Sequence, residues 1–178
     1  MGRTGEPAAL FESLLSNAES TVTTTASPSD RRRSSRLHEV RVEVEVPFHD
    51  VDALGIVWHG HYYKYFEIAR TKLFRARALD AYDLQSLNVG FLVIESRCRH
   101  ASPLQYGDQI EVAAWFRDLK YRIMVAYEIT NLSRARRAAR GHTALVTLGS
   151  DGRMHQRTPA AVLERLDPSL LEDEGTGL

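Results

Sequence analysis

From Val40 to Val46 the chain alternates without a break, with Val40, Val42, Val44 and Val46 taking turns with Arg41, Glu43 and Glu45. A period of two, β-branched on one side and charged on the other, specifies a strand with one buried face. Pro47 ends it, because proline cannot donate to the ladder. The period then changes. Tyr62, Tyr65, Phe66, Ala69, Leu73 and Ala76 recur at intervals of three and four, which predicts the inner face of a long helix over 60 to about 79. Residues 80–88 read as a helical turn and connector. Strand-like runs return at 91–100, 109–117, 122–132 and 140–149, punctuated by Pro103, Gly107 and the turn pair Asp151-Gly152. A short helix follows to about Leu166, with Thr158 expected as its N-cap and Pro159 at its first position. One long helix beside a run of antiparallel strands is an α+β order, and a single sheet wrapped around that helix would bury its aromatic side.

The ends of the chain differ from this middle. Within residues 1–36, the stretch 8–15 reads as two helical turns, whereas 20–35 is almost entirely Ser, Thr and Arg. A segment so poor in apolar groups cannot offset its ordering entropy, so a flexible leader is expected, with Arg31, Arg32 and Arg33 solvated. The folded domain is expected at 37–167, followed by a disordered acidic tail over 168–178. Bulk composition narrows the class. The chain has 178 residues, 43% of them hydrophobic and 26% charged, and a formal net charge of zero. That suits one soluble domain and gives no drive toward nucleic acid or an anionic membrane. The single cysteine, Cys98, excludes an intramolecular disulfide and a cysteine-rich zinc site. No apolar run approaches the roughly 20 residues of a membrane span. With no secretory signal recognisable, the cytoplasm is the expected location.

The chemistry concentrates between strand and helix, where Phe48 to Tyr65 reads F-H-D-V-D-A-L-G-I-V-W-H-G-H-Y-Y-K-Y. Asp50 and Asp52 flank Val51, Gly55 supplies a turn, and His59 and His61 stand at the mouth of the helix. His49, Asp50, Asp52, His59 and His61 are of the right types to ligate zinc or iron, but no helical H-x-x-x-H pair is present. The chain has neither a P-loop nor a G-x-G-x-x-G, so a nucleotide site has no support.

D-V-D-A-L-G-I-V-W-H-G-H-Y, followed by Y-F-E-I-A-R, resembles the signature loop of the 4-hydroxybenzoyl-CoA thioesterase family, and within it the YbgC-like acyl-CoA thioesterase branch. The resemblance implies a hotdog fold over about 40–166, a curved antiparallel sheet wrapped around one long central helix. It implies an acyl-CoA thioesterase that needs no metal and no cofactor, CoA being part of the substrate. It places the catalytic carboxylate at Asp52, as nucleophile or as general base. His59 is the second catalytic position, its backbone N–H facing the thioester carbonyl. Gly55, Val57, Trp58 and Tyr62 become substrate contacts, and Lys120 and Arg122 the candidates for the CoA phosphates. The partners it implies are an acyl-CoA or acyl-carrier-protein substrate and further copies of the chain, as a homodimer or homotetramer with the site at a subunit interface. Asp50 is read as a cap of the turn, His61 as structural, and Glu67 as an ion pair with Arg70. The competing readings are a non-catalytic acyl-thioester binder, a metal-dependent hydrolase, and a hydratase of the same fold, whose Asp/His loop differs.

Overall fold

The alternation of periods becomes a sheet and a helix in that order. The computed structural model describes residues 36–172. Strand β1 spans Leu37–Glu45 and is followed by a 3-10 turn at Phe48–Asp50, helix α1 at His61–Arg75 and helix α2 at Ala81–Ser86. Then come β2 (Val89–His100), β3 (Gln109–Asp118), β4 (Ile123–Asn131), β5 (Arg136–Gly149), α3 (Ala160–Leu166) and α4 (Ser169–Glu172). The strands form one five-stranded sheet in the order β1-β3-β4-β5-β2, each neighbour antiparallel. β1 and β2 are therefore its edges. This is the hotdog arrangement.

α1 lies on one face of the sheet because its apolar stripe matches the inward residues of the strands. Tyr65, Phe66, Ala69 and Leu73 are buried against Val112, Ala114 and Phe116 of β3 and Val125, Tyr127 and Ile129 of β4. Each large side chain so buried is worth about 1.5–3 kcal/mol. The Phe66 and Tyr127 rings stack at 4.4 Å with an interplanar angle of 10°. Gly141 of β5 pairs with Tyr127 and leaves the space this stack needs. A Cβ at Gly141 would lie 2.5 Å from the Phe66 ring and 2.4 Å from the Arg97 carbonyl oxygen.

Four local expectations change. Ala76 is the exposed C-cap of α1, and Phe74 takes its place in the core beside Phe91 (5.0 Å) and Phe116 (5.6 Å), because the helix stops before the period repeats. β5 begins at Arg136, in an R-R-A-A-R run with no alternation to announce it. The N-cap of α3 is Pro159, with no side-chain cap, while buried Thr158 spends its N–H on the Lys120 carbonyl at 3.0 Å. The chain also does not leave the core after Asp167, since α4 packs Leu170 and Leu171 against it. The leader, including the helical stretch expected at 8–15, and residues 173–178 lie outside the described residues. Among the described residues, no helix is long and apolar enough to cross a membrane.

Candidate active site

The D-V-D-A-L-G-I-V segment folds back on itself as a miniature hairpin. Val51 pairs with Val57, and the Asp52 N–H donates to the Ile56 carbonyl at 2.8 Å. The Gly55 N–H closes the turn on the Asp52 carbonyl at 2.9 Å, with Gly55 at φ +72°, where a side chain would be strained. One Asp52 carboxylate oxygen accepts the Leu54 N–H at 2.8 Å, the Asx turn that short acidic side chains make. Asp52 is thus fixed by its own loop while remaining partly exposed. The hairpin is tied to the body through the Val57 N–H, which donates to the Leu104 carbonyl at 2.9 Å.

Asp50 plays a different part from its neighbour. Its side chain is fully buried, accepting the Tyr65 hydroxyl at 2.7 Å and a hydrogen bond from the Lys64 ammonium, both from the first turns of α1. His49 Nε2 lies 3.4 Å and His61 Nδ1 3.8 Å from the same carboxylate. Its own carbonyl accepts the Trp58 N–H at 3.0 Å. Burial alone would raise the Asp50 pKa. The hydrogen bonds from Lys64 and Tyr65, with the charge of Lys64 and the nearby His61 ring, outweigh burial and hold it below the usual carboxylate value. Burial, and then the neighbouring carboxylate, pushes the Tyr65 hydroxyl the other way. Asp50 therefore supports the loop as expected, but by pinning it to helix side chains rather than by capping backbone N–H groups.

The helix entrance is open. α1 begins after Gly60 with no side-chain cap. Among the described residues the His59 and Gly60 N–H groups donate to nothing, so their partial positive charge is left uncompensated. The Trp58 indole folds over Gly60, where a Cβ would fall 1.9 Å from the ring. The Trp58 ring also sits 4.7 Å from the His59 ring and 5.4 Å from that of His61. The His59 side chain is exposed. Tyr62 is buried beneath this entrance with its ring 4.5 Å from His100, the last residue of β2, and burial raises its hydroxyl pKa.

The structure thus brings Asp52, Gly55, Val57, Trp58, His59 and Tyr62 together. It does not bring Lys120 and Arg122 to them. Those residues lie in the β3–β4 turn, whereas the loop adjoins the opposite end of β3, where Gly107 and Asp108 bond to Val46. Ten residues of strand separate the two ends, roughly 30 Å. Lys64 and Gly60 were not singled out from sequence, and Tyr65 was read only as part of the buried face of the helix, not as a partner of Asp50. Gly60 sits inside the motif, but its purpose shows only once Trp58 lies across it. Among the described residues, no three His, Cys, Asp or Glu side chains gather as a metal site would require. Glu67 bonds to Arg70 one turn later, as its spacing suggested.

The sequence profile of the thioesterase-like superfamily matches residues 46–166. The acyl-CoA thioester hydrolase YbgC of Escherichia coli O157:H7 is 31% identical over 72 residues, 40% of this chain and 54% of that protein. YneP of Bacillus subtilis strain 168 is 28% identical over 96 residues, 53% of this chain and 70% of its own length. Among solved structures, the protein AQ1494 of Aquifex aeolicus superposes with a TM-score of 0.65 at 25% identity, covering 72% of this chain and 99% of that one. A 1,4-dihydroxy-2-naphthoyl-CoA thioesterase from Synechocystis superposes with a TM-score of 0.64 at 18% identity, over 72% of this chain and 95% of its own. With the matched region running from the end of β1 to the end of α3 and enclosing the whole loop, the chain belongs to the thioesterase-like superfamily.

Proposed function

We propose that this protein hydrolyses an acyl thioester, with CoA or a carrier-protein phosphopantetheine as the leaving thiol. Asp52 supplies the oxygen chemistry and the start of α1 holds the oxyanion. The observation that carries this reading is the pairing of a loop-fixed, partly exposed carboxylate with an uncapped helix start whose His59 and Gly60 N–H groups have no acceptor among the described residues. A thioester carbonyl directed at the His59 N–H gains a donor that strengthens as negative charge develops on its oxygen, worth about 3–4 kcal/mol in the transition state. Asp52 either attacks the acyl carbon, forming a mixed anhydride and releasing the thiolate, or takes a proton from the attacking water. A thiolate leaves readily, so no strong general acid is required. The relatives named as acyl-CoA thioester hydrolases support the substrate class.

A second copy of the chain completes this site. The loop is rimmed by exposed apolar groups, Phe48, Leu54, Trp58 and Tyr106, which a lone protomer leaves in water. β2 is an open edge whose Leu92, Val93 and Ile94 are exposed, with no proline or lysine along it. Such an edge invites pairing. Antiparallel pairing of β2 with its own copy reverses the partner end for end. Because β2 runs from the Lys120–Arg122 end of the sheet to the loop end, the reversal carries Lys120 and Arg122 of the partner subunit toward the loop. CoA phosphates held there and a thioester held at Asp52 would then belong to one site built from two chains.

The decisive experiment measures hydrolysis of a panel of acyl-CoA and acyl-carrier-protein thioesters by purified protein. Asp52→Asn is expected to lower kcat by roughly 10²–10⁴ while the circular dichroism spectrum is unchanged. His59→Ala should keep most of the activity, because the donor is a backbone N–H. An Asp52→Asn protein that turns over at the wild-type rate would show that the carboxylate has no part in the reaction.

A further inference from the structure

A trough runs along one side of α1, between the helix and strand β2. Aromatic pairs close it at both ends. Near the helix start Tyr62 packs on His100 with ring centroids 4.5 Å apart, and near the helix end Phe74 packs on Phe91 at 5.0 Å. Tyr63, Glu67, Arg70 and Phe74 follow one another at helical three- and four-residue steps, so they share the side of α1 that meets β2. Across from them, Ser96 and Cys98 face the same layer. They stand opposite Thr143 and Gly141 in register, which in turn stand opposite Val125 and Tyr127, both in the core. Residues opposite each other share a face of the sheet. Ser96 is nevertheless exposed and Cys98 only partly buried, so between the two aromatic pairs the helix leaves this strip of the sheet uncovered.

Beside this strip lies a polar group that packing does not explain. Tyr127 is 1% exposed, and among the described residues its hydroxyl makes no well-formed hydrogen bond. The Thr143 hydroxyl and the Arg70 guanidinium lie nearby. Arg70 is drawn outward to Glu67, whose side chain is 55% exposed, and its fork has more N–H groups than that bond uses. Phenylalanine would fill the stack on Phe66 as well as tyrosine does. Burying a hydroxyl without a good partner is unfavourable, so the oxygen is retained against stability.

The trough begins beneath the helix entrance that carries the His59 N–H. From His59 to Phe66, the residue stacked on Tyr127, the chain rises roughly 10 Å along the helix axis. We propose that the acyl group of the thioester lies in this trough, and that Tyr127, Thr143 and Arg70 select a chain carrying a neutral oxygen, hydroxyl or keto, roughly 10 Å beyond the thioester carbonyl. The placement of the carbonyl at His59 rests on the hydrolase reading above. The incoming oxygen enters between Arg70 and Tyr127 and accepts from both. A carboxylate suits the place less well, because Glu67 already neutralises Arg70. A plain alkyl chain would lay carbon against the same hydroxyl and leave it unpaired.

The test compares octanoyl-CoA with ω-hydroxyoctanoyl-CoA. Hydrolysis is measured with the wild type and with Tyr127→Phe. Binding is measured as the rise in Tm that each ester causes in Asp52→Asn, with and without Tyr127→Phe. The wild type is expected to favour the hydroxylated chain at least about tenfold in kcat/KM, and Tyr127→Phe to bring that ratio close to one. A purely structural role for Tyr127 would change both substrates alike and leave the ratio where it was, which would overturn the proposal. A wild-type ratio near one would do the same. If neither ester is hydrolysed, the Tm shifts decide. A larger shift with the hydroxylated ester, lost on adding Tyr127→Phe, supports the trough while removing the hydrolase reading, and equal shifts overturn both.

Discussion

Asp50→Asn tests the electrostatic heart of the loop. The wild-type carboxylate is wholly buried and accepts the Tyr65 hydroxyl at 2.7 Å and the Lys64 ammonium. Asparagine keeps the shape and the backbone carbonyl that receives the Trp58 N–H, and its side-chain oxygen still accepts from Tyr65. The charge-assisted bond to Lys64 is lost. A hydrogen bond to a charged group contributes about 1.5–3 kcal/mol. Lys64 is 41% exposed, so part of that value is screened and its ammonium can turn to solvent, which puts the expected cost at about 1–2 kcal/mol. For a chain of this size that is a fall in Tm of roughly 2–8 °C. The pH dependence supplies a sharper criterion. A carboxylate whose folded pKa is depressed contributes stability above its unfolded value, about 3.9, and loses it as pH falls through the folded value. The gap between wild type and Asp50→Asn should therefore be full at pH 7, begin to narrow near pH 4, and shrink further at lower pH. Urea unfolding at pH 7 and pH 3 measures it. A gap of the same size at both values would show that geometry, not charge, is what Asp50 provides.

Three further outcomes follow from the same packing. Gly141→Ala drives a Cβ into the Phe66 ring and the Arg97 carbonyl, and the backbone oxygen cannot step aside, so a loss of about 1–3 kcal/mol is expected in chemical denaturation. Among the described residues the buried Tyr127 hydroxyl makes no well-formed hydrogen bond, and burial, partly offset by nearby Thr143 and Arg70, pushes its pKa up to about 12. Tyr127→Phe keeps the stack on Phe66 and removes only that hydroxyl, so its Tm should equal or exceed that of the wild type, and a clear fall would reveal a partner for the hydroxyl. Burial also raises the Cys98 thiol to about 11, which leaves roughly one part in a thousand as thiolate at pH 8. Its reaction with a disulfide reagent should be far slower than that of a free thiol and should accelerate on unfolding in urea.

Much of the active loop was legible because its determinants are local. Asp52, Gly55 and the helix start belong to one continuous turn, and an Asx bond, a positive φ and an uncapped N-terminus all arise within a few residues. The difference between Asp50 and Asp52 was not legible in the same way. Both are loop aspartates two residues apart, yet Asp50 is buried because Lys64 and Tyr65, fourteen and fifteen residues later, close over it. The need for Gly60 was hidden for a related reason, since it depends on the direction in which Trp58 turns.

By itself the sequence determined the order of elements, the inner faces of α1, β3 and β4, and the turn of the loop at Gly55, since side-chain period and turn propensity act over a few residues. Only the tertiary structure decided the strand order β1-β3-β4-β5-β2, which arises from long-range pairing that no local period encodes. That order put Lys120 and Arg122 at the far end from Asp52, made β2 an open edge, and sorted the outward charges of a net-neutral chain into an acidic border and a basic one. Hydrogen bonding between distant strands fixes all three, which is why the loop could be read from the chain but the placement of Lys120 and Arg122 and the free β2 edge could not.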